Sequence, residues 1–189
     1  MAATPDDPAT PDYPWYAVVR GNTLEQGDLL GNCPRFTLGE DAARTSSSVV
    51  QRDIVDAIIL SQSCDLAIRA DGQCEATDVL LCPVYTRSDL ASHPTFGRDA
   101  VCEEVRKGRR PFYHVLNACE LPGFERDFVL LDFHAIFTLS VRLVREFAVL
   151  AGDRLRLLPP YREHLSQALA RLFMRVGLPT DVPPFGKRK

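Results

Sequence analysis

The chain has 189 residues, of which 46% are hydrophobic and 25% charged, and its formal net charge is −3. This is the composition of an ordinary globular domain, which at this length buries enough surface to fold without a metal or a disulfide framework. No apolar run reaches the ~18 residues of a membrane span, so we expect no membrane segment.

The N-terminal residues 1–14 are acidic and proline-rich. They predict a disordered tail and lack the basic and apolar regions of a secretory signal. A cytoplasmic protein with reduced thiols is therefore expected. The six cysteines form no C-x-x-C pair, and we predict neither a disulfide framework nor a bound cofactor.

Short apolar and β-branched runs predict that residues 15–160 form a β-rich domain with helical insertions. Strands are predicted at 15–19, from Leu29 toward Phe36, and at 54–61, 79–85, 112–116, 128–133, 135–139 and 154–158. Helices are predicted at 99–107 and 140–150, and the polar residues 39–53 predict a long loop. This order favours an α+β fold in which a small curled β-barrel carries appended helices.

The clearest element is a C-terminal amphipathic helix, predicted within residues 161–178 and followed by a basic tail at 179–189. Its apolar positions follow the i, i+3, i+4, i+7 spacing of one buried face. They are Leu165, Ala168, Leu169, Leu172, Phe173 and Val176. We expect this face to pack on the barrel, with Arg171 and Arg175 on the outer side.

Charge is distributed unevenly along the chain. Residues 1–140 hold 12 Lys and Arg against 21 Asp and Glu, a net of −9, whereas residues 141–189 hold 10 against 4, a net of +6. The basic quarter could face nucleic acid or an acidic protein, or it could pack beside the acidic body of its own chain.

Cys64 and Asp65 follow directly after the strand predicted at 54–61. One hypothesis makes Cys64 a nucleophilic thiolate with His114 as the base that activates it across the sheet. A metal site is a second hypothesis, although the close ligand pairs of structural zinc sites are missing. Its candidate ligands are Cys64, Asp65, Cys82, His114, Cys119 and His134. The structural alternative is a small buried cysteine beside a turn-capping aspartate.

Thr86-Arg87-Ser88-Asp89 ends the strand predicted at 79–85. The hydroxyl of Thr86 and the guanidinium of Arg87 are groups that could bind a phosphodiester. The alternative is a polar turn after a buried strand.

Four cations lie within residues 106–110, next to Phe112 and Tyr113. Cations beside aromatic rings can hold single-stranded nucleic acid through phosphate contacts and base stacking. A solvated loop is the alternative. His164, near the start of the last helix, has a functional and a packing interpretation as well.

Three segments follow one another along the chain: Gly27-Asp28-Leu29-Leu30, Ala57-Ile58-Ile59-Leu60-Ser61 and Leu81-Cys82-Pro83-Val84-Tyr85-Thr86. Together they resemble the MazF/PemK family of bacterial toxins. The resemblance implies an SH3-like barrel and, for many members, endoribonuclease activity. Two further segments are Ser61-Gln62-Ser63-Cys64-Asp65-Leu66 and Pro159-Pro160-Tyr161-Arg162-Glu163-His164-Leu165-Ser166-Gln167. Through them the whole chain also resembles a group of bacterial proteins, and this resemblance implies no activity.

The resemblance implies a catalytic pair of one arginine and one Thr or Ser. Thr86 matches the hydroxyl, but Val55-Asp56 stands where the arginine is expected, and Arg52 is the nearest arginine. We therefore expect a non-catalytic interaction or regulatory protein with a protein partner, in bacterial stress response, toxin–antitoxin function or phage defence. An RNA-cleaving enzyme using Thr86 with Arg52 or Arg87, and a thiol enzyme using Cys64 and His114, remain the alternatives. RNA as a partner and a homo-oligomer both stay open.

Overall fold

The computed structural model describes residues 13–39, 50–70 and 72–174, and these residues form a mixed α+β fold. Its strands are β1 (Tyr16–Val19), β2 (Leu29–Leu38), β3 (Val50–Ile59), β4 (Asp78–Thr86), β5 (Tyr113–Leu116), β6 (Val129–Asp132), β7 (Phe137–Ser140) and β8 (Arg154–Leu157). Its helices are α1 (Ser63–Leu66), α2 (Arg87–Leu90), α3 (Asp99–Arg106), α4 (Val141–Ala151) and α5 (Tyr161–Phe173). A 3-10 turn at Phe133–Ala135 separates β6 from β7.

Most strands form one antiparallel sheet in the order β2-β3-β4-β6-β5. Besides β3, strand β4 pairs with two strands at different positions along its length. Asp78–Leu81 pairs with β7, and Val84–Thr86 pairs with β6. Strands β1 and β8 form a separate antiparallel pair. The predicted α+β class is confirmed, whereas no closed barrel is detected among the described strands.

Helices cover both faces of the sheet. Successive side chains of a strand point to opposite faces, so Ile58 of β3 packs in the cluster that contains Leu165 of α5. Its neighbours Ala57 and Ile59 pack in the cluster that contains Val144 of α4. The apolar run of β3 is therefore buried on both sides, which is what its lack of polar alternation predicts.

The loop predicted over residues 39–53 is wrong at its C-terminal end. Strand β3 already begins at Val50, which pairs with Leu38 of β2. Residues 50–54 are exposed, so backbone pairing with β2 rather than apolar burial holds them extended. Residues 40–49 of the predicted loop lie outside the described chain.

One residue of the predicted apolar face of α5 is not buried. Leu165 is fully buried, but Phe173 is 67% exposed. At 3.6 residues per turn Phe173 lies about 80° around the helix from Leu165, at the margin of the apolar stripe. Val176, Arg175, the basic tail at 179–189 and residues 1–12 of the N-terminal tail lie outside the described residues.

The Gly27-Asp28 turn joins β8 to the main sheet. Gly27 donates its N–H to the carbonyl of Ile59 at 2.9 Å and accepts from the N–H of Leu157 at 2.9 Å. Its φ is +88°, and a Cβ there would lie 2.8 Å from the Leu157 Cβ. Glycine is required at this close approach because any side chain would be strained and would clash.

Asp28 anchors a buried network of ion pairs. Its carboxylate is fully buried and accepts from Arg154 Nε at 2.9 Å and from Arg156 Nε at 2.5 Å. Arg156 and Arg162 both reach Glu25, at 2.5 and 2.9 Å. The network thereby links the start of β2 to β8 and to the first turn of α5.

Candidate functional site

The segment with four cations turns between α3 and β5. Helix α3 packs through Val101 and Val105 against Leu130 of β6. Gly108, at φ +68°, ends the helix, and its N–H bonds to the carbonyl of Val105 at 2.8 Å. Residues 106–110 are thereby held next to β5.

A cleft of about 370 Å³ lies between this segment and α5. Within the described part of the chain, the charged side chains that line the cleft are all basic. We call it the basic cleft; its polar lining includes Arg106, Lys107, Arg110, His114, His164, Gln167 and Arg171. The concentration of positive charge makes an anion the expected ligand.

Two glutamates outside the cleft orient its cations. Glu103 accepts from Arg106 Nε and Nη2 at 2.6 and 2.7 Å, and Lys107 Nζ lies 3.0 Å from its Oε1. Glu104 accepts from Arg110 Nε at 2.8 Å. No ion pair of the described chain involves Arg171. Two carboxylates against four basic side chains leave the cleft with a net positive charge.

His114 of β5 is half-buried and lines the cleft. Burial first, and then the nearby positive charges of His164 and Arg171, lower its pKa to about 4. Its side chain is therefore neutral near pH 7. A bound anion would offset both neighbouring charges, so ligand binding and protonation in the cleft favour each other.

Acidification should destabilise the protein through His114. In the unfolded chain this side chain titrates near 6.5, whereas in the folded protein it stays neutral down to about 4. The unfolded state therefore binds more protons between these values, and stability falls as the pH decreases. We expect urea unfolding to show a loss of up to about 2 kcal/mol between about pH 7 and about pH 5.

Separate replacements of His114 and His134 test whether His114 causes this pH dependence of stability. His114→Gln should flatten the pH dependence, because glutamine does not titrate. His134→Gln, on the exposed side chain that pairs with Asp132, should leave the loss in place. An equally steep loss in His114→Gln would assign the effect to other groups.

Thr86 and Arg87 are held by local partners. Thr86 caps α2: its Oγ1 donates to Asp89 Oδ2 at 2.6 Å and accepts from the Asp89 N–H at 3.3 Å. Arg87 forms an ion pair with Asp99 and lies over the ring of Phe128, 5.6 Å from its centroid. The hydroxyl thus has the role of a helix cap, and the guanidinium is directed toward α3.

Arg52 lies on another part of the sheet. It is exposed on β3 opposite Phe36 of β2. Pairing between β3 and β4 covers only Ala57–Ile59 and Leu81–Pro83, so Arg52 lies outside it. In the described chain no hydrogen bond or ion pair joins Arg52 to Thr86.

Cys64 and His114 are not brought together. Cys64 is exposed on α1, directly after β3, and its Sγ lies 3.3 Å from Asp65 Oδ1. His114 is on β5, which β4 and β6 separate from β3 in the sheet, and no hydrogen bond of the described chain joins the two side chains. An activated thiolate needs a base or a positive neighbour, and Asp65 contributes a negative charge instead.

The candidate metal ligands do not assemble either. No group of three or more His, Cys, Asp or Glu side chains within the described ranges could hold a metal ion. Cys82 donates to the carbonyl of Asp132 at 3.3 Å. Burial first, and then the charge of Asp132, raise the pKa of its thiol strongly. Cys82 therefore remains a protonated core residue.

Comparisons of the chain with protein-family models, curated proteins and solved structures give no significant match. Among the described helices, none is both long and apolar enough to cross a membrane. The geometry of the basic cleft is therefore the main support for a functional proposal.

The sequence prediction included the cations at 106–110 but not their partners on α5. His164, Gln167 and Arg171 line one side of the cleft. Their i, i+3, i+7 spacing is that of a single helix face, and this signal could have grouped them. Part of the side of α5 that was predicted to face solvent therefore lines the cleft.

Proposed function

We propose that the protein binds single-stranded RNA through the basic cleft and acts as a non-catalytic regulatory module. The observation that carries the proposal is the lining of the cleft, where four basic side chains and two histidines converge from α3, its following turn, β5 and α5. Phosphodiesters are the anions that such an array of Arg and Lys recognises in a polymer.

The choice of RNA over a small anion rests on the surroundings of the cleft. The ring of Tyr113 lines the cleft, and Phe112 stacks on His134 at 4.3 Å between ring centroids. Aromatic rings beside cations are the combination that binds bases and phosphates of a single strand together. A small inorganic anion would need only the cations.

The SH3-like barrel of the toxin family remains part of this proposal. Its support is the antiparallel sheet in which β4 has three strand partners, and the hydrogen bonds of Gly27 to both Ile59 and Leu157. These bonds bring β8 next to the end of β3. A regulatory role in stress response or phage defence, with a protein partner, follows from the same resemblance.

The non-catalytic part of the proposal rests on Thr86 and Arg87. A nuclease pair needs a hydroxyl and a guanidinium directed at one phosphate. Here Thr86 caps α2 and Arg87 pairs with Asp99. We therefore expect RNA to remain intact when it binds.

Charge reversal at Arg171 tests the binding site. Arg171→Glu should weaken binding of a fluorescently labelled oligouridine RNA by about tenfold or more, because a phosphate contact becomes a repulsion. Fluorescence anisotropy as a function of salt measures it, and the slope of log affinity against log salt should fall by about 0.7 per lost contact.

Arg142→Glu is the matched control. Arg142 lies on α4, where its side chain is 89% exposed and pairs with Glu146, and the substitution changes net charge by the same amount. Equal losses in both variants would mean that overall charge, not the cleft, attracts RNA. If the protein instead cleaves the RNA, and Thr86→Ala abolishes that cleavage, the protein is an endoribonuclease.

A further inference from the structure

A second cavity adjoins the basic cleft on the other side of Arg106. It has a volume of about 540 Å³, and Arg106 lines both spaces. We call it the aromatic cavity; the residues used below are Trp15, Arg87, Asp99, Glu103, Asn117 and Phe128. Residues of α3 and β5 line both spaces.

The two spaces differ in the charge of their lining. The charged side chains lining the aromatic cavity are two arginines and two carboxylates, and they are paired as Arg87–Asp99 and Arg106–Glu103. Its lining is thus close to electrically neutral, whereas that of the basic cleft is positive. A ligand with one charged and one neutral part would place its anion in the cleft and its neutral part in the cavity.

The aromatic cavity presents flat surfaces. Two contacts hold Trp15 in place. Its ring stacks on Tyr161 at 3.6 Å between centroids, and its carbonyl accepts from the N–H of Leu158 at 2.9 Å. Elsewhere in the lining Arg87 lies over the Phe128 ring. Aromatic rings and guanidinium planes are the surfaces on which unpaired RNA bases stack.

We propose that the aromatic cavity binds a nucleobase of the RNA strand whose phosphate occupies the basic cleft. The inference rests on the proposed function, and it specifies the ligand as a single strand with an unstacked base. The side-chain amide of Asn117, which lines the same cavity, can bond the edge of that base, whereas Asp99 and Glu103 keep their arginine partners. Double-stranded RNA, whose bases are stacked and paired, should bind less well.

The fluorescence of Trp15 provides a direct test, because it is the chain's single tryptophan. Oligouridine RNA should quench this emission and bind about tenfold more tightly than a ribose-phosphate oligomer of the same length without bases. Phe128→Ala should reduce that preference, whereas Phe36→Ala, an exposed phenylalanine on β2, should leave it unchanged.

The outcomes separate the two proposals. If both oligomers bind equally and Trp15 emission does not change, the base site is refuted while RNA binding by the cleft survives. If neither oligomer binds, the proposed function fails and the base site fails with it. Comparing the two oligomers on the unaltered protein keeps the test decisive even if Phe128→Ala does not fold.

Discussion

Replacing Asp28 with alanine should lower the free energy of unfolding by about 3–5 kcal/mol, because it leaves a buried charge without its partner. The side chain of Arg154 is only 2% exposed, and its Nε would lose the carboxylate. Arg156 would lose the same partner at its own Nε. A loss of this size is a large part of the 5–15 kcal/mol that stabilises a typical domain.

Urea unfolding at neutral pH, followed by circular dichroism, measures the effect of Asp28→Ala. Asp153→Ala is the control, since it removes an exposed carboxylate that also pairs with an arginine, Arg20. Solvent screens that pair, so little change is expected. If the two variants unfold at the same urea concentration, the Asp28 network does not stabilise the fold.

The same network explains why the net charge of +6 over residues 141–189 overstates the positive charge that is available to a ligand. Its arginines at 154, 156 and 162 are ion-paired with Glu25 and Asp28. Arg154 and Asp28 are separated by 126 positions in the chain, so no local pattern could pair them. These cations pack beside the acidic body, whereas Arg171 remains available at the basic cleft.

Strands were the most predictable part of the fold because burial on both faces leaves a local signal. The runs that became β3 and β4 are mostly apolar, with Asp56 as the exception in the run 54–60, and each strand contributes side chains to two core clusters. The signal failed at residues 50–53, where β3 is exposed and only its pairing with β2 keeps it extended. Pairing with a distant strand has no signature in the composition of one segment.

The candidate site was predictable only in part. Four of the five residues at 106–110 are cations, so the sequence displays this cluster directly. Grouping His114 with His164 and Arg171 requires the packing of α5 against β5, which no spacing within either element reveals. Arg171 was therefore expected on the outer side of α5, although it lines the cleft with His114.

The second large effect is expected at Leu165, which fixes α5 to the sheet. Leu165→Ala should cost about 2–5 kcal/mol in the free energy of unfolding, because the fully buried side chain leaves a cavity in the core. Urea unfolding measures the loss. RNA binding should also weaken where the variant is still folded, since His164 and Arg171 reach the cleft only while α5 is docked.

Phe173→Ala provides the contrast on the same helix. Phe173 is 67% exposed, so its removal should change the unfolding free energy by no more than about 0.5 kcal/mol and leave RNA affinity intact. Both variants delete a large apolar side chain, and the one that removes the larger group is expected to cost less because that group is exposed. RNA affinity should be measured under conditions where Leu165→Ala measurably loosens α5. If the affinity is then unchanged, α5 contributes nothing to the cleft and RNA binds elsewhere on the molecule.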